Sequence, residues 1–102
     1  MPDQIESLLV LTRSMLDAAD AQKWDILAEL ETRRVGIISE IFAAPPSQRD
    51  AGRLAACLQQ VLTLDRRIID QGEAGLRELA GKLAEFDHGR RVQGAYQDAA
   101  SD

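Results

Sequence analysis

Ile5, Leu8, Leu9, Thr12, Met15, Leu16 and Ala19 recur at steps of three and four residues, with Asp3, Glu6, Arg13 and Asp17 on the opposite side. That period predicts an amphipathic helix over 3–20, started by Pro2 and Asp3. Leu11 and Ala18 widen its apolar stripe, and Val10 alone falls among the polar positions. A second run, Trp24, Leu27, Leu30, Arg34, Ile37, Ile38, Ile41 and Phe42, predicts a helix over 24–43. Its phase is shifted by one residue from a continuation of the first run, and Asp20 suits a helix cap, so a break is expected at 20–23. Neither Gly nor Pro enforces that break, and one kinked helix from 3 to 42 is the alternative.

Pro45 and Pro46 cannot continue a helix, and Ser47 with Asp50 has the spacing of a capping box with Asp in the Glu position. The third run is the longest: Leu54, Cys57, Leu58, Val61, Leu62, Leu64, Ile68, Ile69, Leu76, Leu79, Leu83 and Phe86 fill one side of a wheel. Arg66, Arg67, Asp70, Glu73, Arg77, Glu78 and Glu85 fill the other, which predicts a helix over 48–86. Asp87-His88-Gly89 reads as a stop. A short helix over 90–99 follows, with Val92, Ala95 and Tyr96 on one face. No alternation suggests a strand. The expectation is an all-α protein: one domain over 1–102, an antiparallel helical bundle of three long helices plus a short C-terminal helix.

Composition agrees. Hydrophobic residues make up 45% of the 102-residue chain and aromatics only 4%, which suits aliphatic packing between helices. The net charge of −5 argues against direct nucleic-acid binding, because phosphate contacts need a basic patch. It also disfavours an anionic membrane surface. No apolar stretch approaches the ~18 residues of a membrane span. MPDQIESLLV carries acids where a signal peptide would carry Lys or Arg, and a single cysteine allows no internal disulfide. The expected location is the cytoplasm.

Chemistry is sparse. His88 and Cys57 are far apart, so no metal site is expected, and no cofactor motif is present. Cys57 sits at the edge of the apolar stripe as a small core residue. Gly72-Glu73-Ala74-Gly75 lies within a helical pattern, where it marks a close helix approach or a soft spot rather than a phosphate loop. An all-helical enzyme of the chorismate mutase kind needs several inward-facing cations, and here only Arg34 lies on a seam. The chain is therefore not expected to be an enzyme. The more informative feature is polar residues on apolar seams: Arg34 with Glu31 on the second helix, and Asp65 at the centre of the third. In a hairpin turning at 43–48, Asp65 falls within one or two turns of Arg34. An ion pair that fixes helix register is one reading, and a polar anchor within a binding groove is the other.

Trp24-Asp25, Leu27, Leu30-Glu31 and Arg34 follow a stretch with Ser14-Met15-Leu16 and Ala18-Ala19. Leu64-Asp65 with Ile68, then Arg90-Arg91 and Ala95-Tyr96, complete an ordered set along nearly the whole chain. That set resembles the FliT family of bacterial flagellar export chaperones. The resemblance implies a cytoplasmic bundle that binds the C-terminal region of the filament-cap protein, keeps it soluble and delivers it to the export apparatus. It also implies contacts with the export ATPase complex and the export gate and, in some members, the flagellar master regulator. Carried onto this chain, Leu64, Ile68, Ile69, Gly72, Leu76 and Leu79 would supply the client groove. Residues 88–102, with Val92 and Tyr96, would form a lid, short and loosely held because Gly94 weakens its helix. Trp24, Glu31, Arg34 and Asp65 would form the structural seam, with Trp24 sealing the turn between the first two helices. The residues alone leave open an obligate homodimer that works as a structural or regulatory bundle, as well as a monomer.

Overall fold

A computed structural model describes the backbone of residues 3–101 and the side chains of residues 3–91. Its three helices are α1 (Gln4–Asp20), α2 (Trp24–Ile41) and α3 (Gln48–Ser101). The residues up to Gly72 form one compact unit and those from Glu73 another.

In the first unit α1 starts where the sequence places it. The Asp3 carboxylate accepts the backbone N–H of Glu6 at 2.9 Å, satisfying one of the donors that a helix start leaves free. The helix ends without glycine. Gln22 takes φ 59°, its N–H donates to the Ala19 carbonyl at 3.1 Å, and the Lys23 N–H reaches the Ala18 carbonyl at 2.8 Å. This is a Schellman closure with a glutamine in the left-handed position. The break at 20–23 is thus present, but Asp20 does not cap α2. It is the last residue of α1, and α2 begins after Lys23 with no side-chain cap.

α3 begins at the expected cap, where Ser47 Oγ accepts the Asp50 N–H at 3.2 Å. Replacing Ser47 with alanine should lower stability by about 1 kcal/mol, read as a drop in the chemical-denaturation midpoint.

The core is built mainly from α1 and α3. Leu8, Met15, Leu16, Ala18 and Ala19 are buried from α1, and Leu54, Cys57, Val61 and Ile68 from α3. Thr12 is fully buried too, with its hydroxyl donating to the Leu8 carbonyl at 2.8 Å. One cluster joins Leu8, Cys57 and Val61 beneath Ile37, Ile38 and Ile41; a second joins Met15, Leu16, Ala19 and Ile68 beside Leu27, Leu30 and Leu64. α2 has no fully buried residue. Cys57 donates to the Ile5 carbonyl at 3.4 Å, and burial pushes its thiol pKa up.

Long-range pairs give the directions. Gln4 at the start of α1 bonds Glu40 at the end of α2, and Arg34 bonds Asp65, so α2 runs antiparallel to both neighbours. Asp3–Arg53 and Ile5–Cys57 set α1 parallel to α3.

Arg53 bridges Asp3 at 2.5 Å and Asp50 at 3.2 Å. The Glu6 N–H bond first, and then Arg53, hold the Asp3 carboxyl below its ordinary range. A depressed folded pKa means that this contribution is present above the unfolded carboxylate value and is lost as pH falls through the folded one. Melting temperature should therefore fall on acidification below about pH 4, and Asp3→Asn should flatten part of that slope.

The expected stop at Asp87-His88-Gly89 and the separate fourth helix are not found. α3 runs unbroken for 54 residues. Arg91 pairs with Asp87 at 3.2 Å, and the Arg90 guanidinium lies 5.9 Å from the Phe86 ring centre. These one-turn contacts bind helical neighbours, and a glycine costs a helix interior only about 1 kcal/mol.

Candidate functional site

Within the first unit, a groove of about 390 Å³ is lined by Trp24, Leu27, Ala28, Glu31 and Arg34 of α2, Asp65, Ile68 and Ile69 of α3, and Met15 of α1. Its walls are mostly apolar. The polar group stands at one end: Arg34 Nη1 donates to Asp65 Oδ1 at 2.5 Å, and Nη2 donates to Glu31 Oε2 at 2.7 Å. The Arg34 side chain is 12% exposed, against 27% for Asp65 and 47% for Glu31. Arg34 Nε is buried without a hydrogen-bond partner. A buried donor left unmet is costly, so the two carboxylate bonds must hold this guanidinium in place.

The pairing of Arg34 with both acids follows from their spacing. Glu31 lies one turn before Arg34 on α2, and the antiparallel turn brings Asp65 alongside. Trp24 does not close the turn as a buried plug. It is 38% exposed and forms the far end of the groove.

The sequence-derived groove residues separate by depth. Ile68 is buried and Leu64 packs against its cluster, so both belong mainly to the interior, while Ile69 stands exposed at the groove edge. A Cβ built on Gly72 would meet nothing within 4 Å, which removes close helix approach as the reason for that glycine. Met15, Leu27 and Ala28 also line the groove, although the sequence reading placed none of them among the groove residues. Leu27 and Ala28 lie one turn beyond Trp24 on α2, and Met15 belongs to the apolar stripe of α1.

The second unit carries its own apolar row. Leu76, Leu79, Leu83 and Phe86 are all more than half exposed, at spacings of three and four. Glu78–Lys82 and Asp87–Arg91 pairs flank them. The Val92 and Tyr96 side chains lie outside the described residues.

Among the described residues no cluster of three or more His, Cys, Asp or Glu could hold a metal, and no helix is long and apolar enough to cross a membrane. The described residues thus carry an apolar groove in the first unit and an exposed apolar row in the second. The family model of flagellar protein FliT matches residues 2–98. The chain belongs to the FliT family. Membership carries the role of flagellar export chaperone and agrees with the helical bundle and with the ordered residues from Trp24 to Tyr96. Searches of the curated proteins and of the solved structures return no match.

Proposed function

We propose that this FliT-family chain binds the C-terminal region of the flagellar filament-cap protein in the cytoplasm, keeps it soluble and passes it to the export apparatus. The observation that carries this reading is the groove between α2 and α3, whose apolar walls are left open by a helix with no buried residue. An amphipathic client helix laid into such a groove buries its apolar face against Trp24, Leu27 and Ile69. No step of this role requires turnover. Contacts with the export ATPase complex, the export gate and the flagellar master regulator belong to the same reading. So does a lid over 88–102 that includes Val92 and Tyr96.

The test is calorimetric titration of the full chain with the C-terminal segment of the cap protein. Micromolar or tighter binding is expected, weakened at least roughly tenfold by Ile69→Glu. That change sets a charge against the client at a position more than half exposed, so the fold keeps its stability. Absence of binding at these concentrations would overturn the reading.

The exposed row Leu76, Leu79, Leu83 and Phe86 favours a second reading, an obligate homodimer in which copies cover one another. Light scattering distinguishes the two: a dimer that persists on dilution and excludes the cap-protein segment supports the homodimer.

A further inference from the structure

The polar end of the groove has an uneven charge balance. Glu31 and Asp65 are two acids facing one guanidinium, which leaves one surplus negative charge in the lining. Arg34 is the most covered of the three groups, 12% exposed, with one N–H of Nη1 and one of Nη2 already given to the acids and Nε buried. The acids keep acceptor capacity, because each carboxylate receives Arg34 through only one of its oxygens. An occupant that is wholly apolar would cover this end and strip water from an uncompensated charge. An occupant bearing an acid there would add a like charge.

Resting on the reading that the groove holds a client helix, we infer that its occupant is an amphipathic helix that presents a lysine or arginine to Glu31 and Asp65. The geometry also fixes where that cation sits. Trp24 and Arg34 mark the two ends of the α2 wall, about 15 Å apart at 1.5 Å per residue. An occupant helix places an apolar anchor against Trp24 and its basic residue two to three turns away, with the ridge between them on Leu27, Ala28 and Ile69. Apolar burial supplies affinity, and the single cation sets register and direction.

The experiment uses the full chain and two helical peptides about five turns long with the same leucine ridge. One carries lysine at the predicted distance from the first anchor and the other carries glutamate. Emission from Trp24, the only tryptophan, reports entry into the groove. The lysine peptide should bind roughly three- to tenfold more tightly, with an advantage that shrinks as salt is raised. Glu31→Gln should remove most of that advantage while still offering Arg34 an amide oxygen. Glu29→Gln, which changes net charge equally on an exposed α2 position outside the groove lining, should preserve it.

Equal affinities, a preference for glutamate, or an equal loss with Glu29→Gln would overturn the inference. The cap-protein segment separates the two levels of failure. If that segment binds and neither neutralising its basic residues nor Glu31→Gln weakens it, the charge rule fails and the client reading stands. If neither the segment nor the peptides bind, both fail.

Discussion

Leu8→Ala is expected to cost the bundle about 3 kcal/mol. Leu8 is 1% exposed and sits where all three helices meet, against Cys57 and Val61 of α3 and beside Ile37, Ile38 and Ile41 of α2. Truncation removes three carbons from a close-packed site and leaves a cavity that helices tied at both ends cannot fully collapse. The cost is large for a chain of this length, whose total stability is on the order of 5–15 kcal/mol. Thermal unfolding followed by circular dichroism should show a fall of roughly 15 °C. Val10→Ala, at a position more than half exposed on the same helix, serves as the control and should stay within about 0.5 kcal/mol. A small effect at Leu8 would mean that the core is looser than its burial implies.

Arg34→Met is the second large effect, about 2 kcal/mol. Methionine keeps much of the stem volume but strips the cation from between Glu31 and Asp65. Asp65 is then a largely covered carboxylate facing apolar neighbours, without its partner. A fully buried pair would cost more when broken, and the partial exposure of both acids scales the figure down. Adding Asp65→Asn to Arg34→Met should recover about half of the loss by removing the orphaned charge. That recovery identifies charge desolvation, rather than lost packing, as the cause. Denaturant midpoints on the two variants decide the matter; no recovery would assign the loss to the arginine stem.

Much of this was legible in the residues. The α1 stripe named its buried positions in advance, because one-sided burial leaves a clean period of three and four. The Ser47 cap and the Arg34–Asp65 pair were also legible, the first from local spacing and the second from the arithmetic of an antiparallel turn. Three features were not. The α1 terminus depends on Gln22 adopting a left-handed backbone, and glutamine carries no sign of that. The stop expected at 87–89 rested on glycine and helix-end residue types. The Arg90–Phe86 and Arg91–Asp87 contacts, each weak, act in the same direction to carry α3 onward. The depth of the groove residues depended on which side of α3 faces α1, so adjacent isoleucines, Ile68 and Ile69, took opposite roles. A wheel wide enough to include both cannot separate them.

The absence of any fully buried residue in α2 bears on how cohesion is shared within residues 3–72. α1 and the first half of α3 hold the core, whereas α2 is attached through half-covered side chains and a few polar ties. The free energy that protects a backbone amide from solvent is therefore unequal along the chain, and α2 amides open in smaller, cheaper excursions than those of α1. Within residues 3–72 the wall carrying Trp24 and Arg34 thus yields more readily than the α1 side of the core.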